Sequence, residues 1–203
     1  MSKICDFKNR ALAQLKGNWT QPVLLALVYV LISGGVSSLS SLIPFLSPFV
    51  FLVSIPLGFG MSIAMLGFYR GEKEDIIPKL FDPFRDYSRM LTTGLLMAVY
   101  TFLWSLLLCV PGIIKGLSYS MTPYILKDNP ELKNNGAIEL SMAMMNGRKM
   151  QLFLLQLSFI GWAFLCILTL CIGFFWLVPY IQATTAAFYE EVKEEYESKQ
   201  VAA

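Results

Sequence analysis

Lys115 is the charge whose position would most readily do chemistry, because it stands inside an otherwise apolar stretch. An ammonium at mid-bilayer costs roughly 2.5–3.5 kcal/mol on insertion scales, so such a residue is a functional candidate from the outset. Facing a bundle interior, its pKa would be depressed by desolvation and it would serve as a proton-linked switch. Tyr119, one turn along, would then be its neighbour, since no acid lies in any apolar stretch. The alternative is simpler. Lys115 follows Pro111-Gly112 by only three residues, so its stem can snorkel to the outer interface, and this is the reading adopted. A second group of polar side chains comprises Ser118, Tyr119, Ser120, Thr122 and Tyr124, then Tyr180, Gln182, Thr184 and Thr185. Lys115, Tyr119, Tyr124, Tyr180 and Gln182 are the candidate intramembrane functional residues. They would line a polar pathway or, on the reading preferred, join helices through hydrogen bonds worth about 0.6 kcal/mol each.

Other chemistries lack their residues. The chain has no histidine, the side chain most used for proton transfer near neutral pH and the commonest metal ligand. The four cysteines, Cys5, Cys109, Cys166 and Cys171, form no C-x-x-C pair and are read as small buried apolar residues. A disulfide between Cys109 and Cys171, both near outer turns, is the alternative. Glu72, Glu74 and Asp75 cluster without His or Cys and read as a solvated loop rather than a metal site. No catalytic, cofactor-binding or metal-ligating residue is therefore expected, and no cofactor. A net charge of +2 is too small to argue for nucleic acid.

The elements that must position these residues are set by where charge is missing. Of 203 residues, 56% are hydrophobic and 15% charged, with mean hydropathy +0.58. A soluble domain carries about a quarter charged residues. Residues 17–69, 90–114 and 150–189 contain no Asp, Glu, Lys or Arg, and the second run continues past Lys115 to Leu126. A helix needs roughly 20 apolar residues to cross a bilayer, so each stretch holds about two crossings. The fold class expected is an all-α membrane protein with six transmembrane helices as three hairpins: 20–69, 90–126 and 150–189. The six spans run from about Pro22 to Ser38, Phe49 to Tyr69, Leu91 to Val110, Ile113 to Leu126, Met150 to Leu170 and Phe174 to Tyr189. Turns fall at Ser40–Pro48, Pro111-Gly112 and Ile172-Gly173. Small residues four apart in the second span (Gly58–Ser62, Gly60–Ala64) would let a neighbouring helix approach closely.

Two short amphipathic helices are expected at the membrane surface. In residues 1–17, Asp6 is a candidate N-cap, Phe7, Ala11, Leu12 and Leu15 form an apolar stripe, and Gly17 suits the C′ position. In residues 135–146, Ile138 and Met142 would meet acyl chains while Glu139 and Asn146 face water, with Gly147 closing the helix. Pro78 would open a further short helix carrying Leu80, Phe81, Phe84 and Tyr87 on one face. The acidic tail, 190–203, would extend the last helix into water. Of the 16 basic residues, 15 lie in 1–16, 70–89, 127–149 and 190–199, with every acid. Six spans place these segments on one side, which the positive-inside rule makes cytoplasmic, with both termini there. A weak repeat also shows: Trp104…Gly112 followed by Tyr119 echoes Trp162…Gly173 followed by Tyr180.

Several stretches resemble a known family. These are Leu15-Lys16-Gly17-Asn18-Trp19, Leu117 to Leu126, Asp128-Asn129-Pro130, Ala137 to Met142, Ser158 to Trp162, Trp176 to Tyr180 and Ala187 to Glu190. Together they resemble an uncharacterised bacterial multi-spanning membrane family, the domain of unknown function nine-seven-five, common in Gram-positive bacteria. The resemblance implies a multi-pass plasma-membrane protein and carries over no catalytic residue. The function expected is non-enzymatic: binding, or a role in envelope homeostasis, with the lipid bilayer, membrane protein partners or a homo-oligomer as partners. The alternative is a small oligomeric transporter or channel.

Overall fold

The computed structural model describes residues 2–42, 47–73, 75–107, 109–169 and 172–201. Among these the chain is helical throughout, with no strand. Helix α1 spans Ser2–Leu15, α2 Thr20–Leu42, α3 Ser47–Tyr69 and α4 Ile76–Lys79. After a 3₁₀ turn at Asp82–Phe84 come α5 (Tyr87–Leu107), α6 (Cys109–Tyr119) and α7 (Thr122–Asp128). The remainder is α8 (Asn135–Met144), α9 (Lys149–Leu157), α10 (Ile160–Leu168) and α11 (Phe174–Val201). Four stretches are long and apolar enough to cross a membrane: Thr20–Leu39, Val50–Tyr69, Tyr87–Leu106 and Lys149–Leu168. The fourth and sixth expected spans are not among them. The fourth is broken at Ser120–Met121 into α6 and α7, and the sixth runs on as the 28-residue α11.

Helix α3 is the axis of the bundle. Half of its membrane-length window is buried, against about a fifth in the other three, and α2, α4, α5, α7 and α11 all pack on it. Its glycines explain how. A Cβ on Gly60 would collide with the Leu80 carbonyl, so the segment after α4, not a helix, makes the close approach foreseen for this face. Gly58 faces open space. Away from α3 the surface is apolar, with Leu31, Phe102, Leu106, Phe164 and Leu168 all exposed. That inversion suits a surround of lipid rather than water.

Both short amphipathic helices turn their stripes onto protein instead of the membrane surface. In α1, Phe7, Ala11 and Leu15 are fully buried, Phe7 packing edge-on against Phe188 of α11 at 5.4 Å, and only Leu12 is exposed. In α8, Ile138 is buried in the core while Glu139 and Asn146 are exposed, and Met142 lies against Lys115. The stripe pattern was right and the partner was not, because an apolar face does not say which apolar surface covers it. Asp6 lies inside α1 rather than at its cap. Pro78 sits inside α4, whose cap is Asp75. Gly17 and Gly147 take the left-handed backbone expected where helices end, with φ of 83° and 78°.

Pro111-Gly112 does not break the chain. It lies in the first turn of α6, where a proline lacks no hydrogen bond. The glycine instead lets α6 press on Ser105 of α5. The last hairpin repeats the device: Gly173 packs on Cys166, again seven residues earlier. Seven residues after each glycine a tyrosine meets a ring, Tyr119 on Tyr100 at 6.5 Å and Tyr180 on Phe159 at 5.2 Å. The Trp–Gly–Tyr echo thus has a packing meaning in both hairpins.

Gly60→Ala is expected to lower stability in detergent by about 1–3 kcal/mol, the scale of an overpacked interior. Gly58→Ala should change it by less than about 0.5 kcal/mol. Thermal unfolding followed by circular dichroism checks both, and equal behaviour would contradict the Gly60–Leu80 approach.

Candidate functional site

The expected fifth span is interrupted at Ser158–Phe159, where α9 gives way to α10. A break leaves carbonyls without their helical N–H partners, and these need another donor where no water reaches. Lys8 of α1 supplies one: its Nζ donates to the Ser158 carbonyl at 3.3 Å and lies 4.3 Å from the Phe159 ring centre. Burial lowers the Lys8 pKa, with Cys5 opposing. Among the described residues no carboxylate pairs with it. The second break, at Ser120–Met121, is treated alike by α8, where the buried Ser141 hydroxyl donates to the Ser118 carbonyl at 2.7 Å.

Beyond the first break, α10 and α11 diverge from α1 and leave an open apolar cleft of about 490 Å³. Trp162 and Leu165 come from α10, Trp176 and Tyr180 from α11, and Leu12 and Trp19 from α1 and the link after it. Three of the chain's four tryptophans therefore wall one cavity, and Tyr180 ends it against Phe159. The volume falls within the roughly 300–1,000 Å³ of small-molecule sites.

The five residues singled out in the sequence do not converge. Lys115 is half-buried on α6, its Nζ 4.9 Å from the Trp104 ring centre and 3.9 Å from Met142 Sδ. Its neighbours are thus a π face and a thioether rather than Tyr119. Tyr119 is buried against Tyr100. Tyr124, also buried, stacks on Tyr189 at 5.0 Å, and Gln182 is half-buried with no hydrogen-bond partner among the described residues. Only Tyr180 reaches the cleft. The hydroxyls of Ser118, Ser120, Thr184 and Thr185 donate to carbonyls of their own helices at 2.7–2.9 Å, so they neither join helices nor line a path. Glu72 pairs with Lys79, and Glu74 lies outside the described residues, as do the side chains of Cys109 and Cys171.

Sequence reasoning missed the charged centre of the fold. Asp128, at the end of α7, accepts two hydrogen bonds of 2.7 Å from Arg70, one of 2.6 Å from Lys193 and one of 2.9 Å from Tyr189. Its side chain is 8% exposed. Arg70 also reaches Glu190 at 2.6 Å, so α3, α7 and α11 meet on one carboxylate. Burial works to raise the Asp128 pKa, but the hydrogen bonds outweigh it and hold the carboxyl at about 2. The acidic tail continues α11 with Glu194 and Glu197 exposed, as expected, while Glu191 pairs with Arg10 and Glu195 with Arg148. One signal was available: Arg70 and Asp128 are opposite charges just beyond the ends of two apolar stretches.

Fold and cleft define an all-helical protein with four membrane-length apolar helices and a lipid-compatible surface. The chain belongs to the family described as Protein of unknown function (DUF975), which matches residues 1–115 and 106–196. No curated protein matches it, and no solved structure does.

Asp128→Asn should destabilise the protein at neutral pH. A carboxyl held this far below its ordinary value contributes about 1–2 kcal/mol after allowance for solvent screening. Because the folded pKa is the lower one, that contribution is complete above about pH 4 and fades as pH falls toward 2. Unfolding in detergent across this range should show the two proteins converging, and a gap independent of pH would refute the assignment.

Proposed function

We propose that this chain is a non-enzymatic, multi-pass plasma-membrane protein that holds the hydrocarbon tail of a lipid-like molecule in the tryptophan-walled cleft. The observation that carries this reading is the cleft's composition: rings and aliphatic groups on every wall, and an opening on the apolar surface. Rigid aromatic walls accept an alkyl chain with little loss of side-chain freedom, which suits them to hydrophobic ligands. An envelope-homeostasis role would follow from such binding, with the bilayer as supplier of the ligand.

The topology proposed with it is six spans in three hairpins, both termini cytoplasmic. Support comes from the helical pairs α2/α3, α5/α6 and α10/α11, and from charge that, Lys115 apart, lies outside the hairpins. A small oligomeric transporter or channel is the second reading, favoured by the two interrupted helices, a feature of transporter binding sites. Against it, a freed carbonyl at each break already has a side-chain donor, and the nearby hydroxyls are turned onto their own helices. Saturable flux in proteoliposomes would reverse this order.

Two measurements test the proposal. In a cysteine-free background, Cys at Leu39, Val110 or Ile172 should react with an impermeant thiol reagent on intact cells, and Cys at Lys133 or Ser198 only after lysis. Reaction at Lys133 from outside would rule out six spans. For the cleft, a photoactivatable long-chain fatty acid should label residues 160–180 saturably, and Trp162→Ala/Trp176→Ala should weaken this roughly tenfold, the scale of losing one buried anchor. Labelling as strong on the exposed face of α5, at Phe102 and Leu106, would mean bulk lipid contact and no site.

A further inference from the structure

Where α5 begins, a polar pocket of about 670 Å³ opens between its first turn and the loop joining α7 to α8. Three cations line it, Arg85, Arg89 and Lys133, against one carboxylate, Asp86. The side chains of Arg85 and Lys133 are exposed and, among the described residues, have neither an ion-pair nor a hydrogen-bond partner. Arg89 is different. Its side chain is only 10% exposed, and its terminal nitrogens donate to the carbonyls of Pro130 at 2.5 Å, Leu126 at 3.1 Å, Asn129 at 3.3 Å and Leu132 at 3.4 Å. Its Nε is buried with no hydrogen-bond partner among the described residues, and a terminal nitrogen donates to Asp86 at 3.4 Å. A nearly buried guanidinium, paired with one exposed carboxylate at 3.4 Å, thus stands at the wall of a cavity that two further cations without ion-pair partners among the described residues share.

The backbone adds to the same field. The first N–H groups of a helix lack intrahelical acceptors, and the 21-residue α5 directs its positive end here, beside the Ser88 hydroxyl. Across the pocket Asn134 holds φ at 49°, in the left-handed region that favours glycine. Its N–H donates to Thr93 Oγ1 at 3.2 Å, which fixes the loop bearing Lys133 against α5. Planar guanidinium groups match the oxygens of phosphate more closely than those of a single-point anion. Depth also selects the ligand, since the membrane-length stretch of α5 starts at Tyr87, on the pocket wall.

We propose that this pocket binds a phosphate oxyanion, carried by an anionic phospholipid headgroup or supplied as free phosphate. Arg85 and Lys133 make the direct contacts, while Arg89 contributes charge from behind and holds the loop. The site is separate from the cleft and stands whether or not the cleft binds a tail.

The test uses the whole protein in two arms. In nanodiscs of phosphatidylcholine with a minor share of phosphatidylglycerol, native mass spectrometry counts the anionic lipids retained. In detergent without anionic lipid, calorimetry follows titration with inorganic phosphate. Arg85→Gln/Lys133→Gln should weaken retention or phosphate binding roughly tenfold or more, the scale of one charged hydrogen bond, with the helical spectrum unchanged. Lys133→Glu alone, at an exposed loop position, gives a second variant with the same expected loss. Lys73→Gln/Lys149→Gln removes two cations outside the pocket and should leave binding as in the parent. Loss confined to the first arm names a lipid headgroup, and loss confined to the second names free phosphate; either supports the site. Absence of binding in both arms, or equal loss in the Lys73/Lys149 control, overturns it.

Discussion

A main-chain carbonyl freed at membrane depth must find a donor inside the protein, since lipid offers none. Two helices of this chain are interrupted, and elsewhere a helix ends beneath a loop. At each of these places a side chain from another element supplies a hydrogen. Lys8 of α1 meets Ser158, Ser141 of α8 meets Ser118, and Arg89 of α5 gathers carbonyls of the segment 126–132. The short helices α1 and α8 are thereby drawn off the membrane surface and into the bundle. Their apolar stripes follow, and the cores around Phe7 and Ile138 form as a result. The cleft is a by-product of the same constraint: with α1 anchored at the break, its end at Leu12 and the link at Trp19 become a wall facing α10 and α11.

The ionic centre on Asp128 sits where the helices leave the apolar zone, and its position matters more than its strength. Isolated surface ion pairs contribute at most about 1 kcal/mol. A carboxylate that accepts from Arg70, Lys193 and Tyr189 together has its lone pairs satisfied, so its partial burial is not a penalty left open. Because its donors come from α3 and α11, it fixes the rotation of both helices about their axes. That rotation directs Trp176 and Tyr180 toward the cleft.

Element positions were largely legible in the sequence, because charge-free runs and glycine punctuation follow from local rules. The starts and ends of α2, α3 and α8 fall within a few residues of expectation, and Gly17 and Gly147 end helices as their type suggests. The break at Ser158 was not legible, since no proline marks it and its carbonyl's donor is distant in sequence. The break at Ser120 had a local signal that went unused, Pro123 in the first turn of α7, where a proline starts a helix and cannot continue one. The site was legible only in part. Tyr180 lines the cleft, but Trp162 and Trp176 drew notice only in the repeat and the family resemblance, because nothing local shows that α10, α11 and α1 bring them to one cavity. Lys115 drew notice because it was alone; Asp128 did not, because an acid just past a span looks like ordinary solvated charge.

Helix α11 carries both cleft residues and partners of Asp128, and Pro179 stands between Trp176 on one side and Tyr180 with those partners on the other. A proline removes one rung of the hydrogen-bond ladder and its ring presses on the preceding turn. The helix is therefore jointed rather than a single rod. The short arm, 174–178, bears Trp176, while the long arm from Tyr180 onward bears Tyr189, Glu190 and Lys193 and is clamped to its neighbours. The weakest rung of α11 thus lies beside the apolar cleft, away from the end that the ion pairs hold.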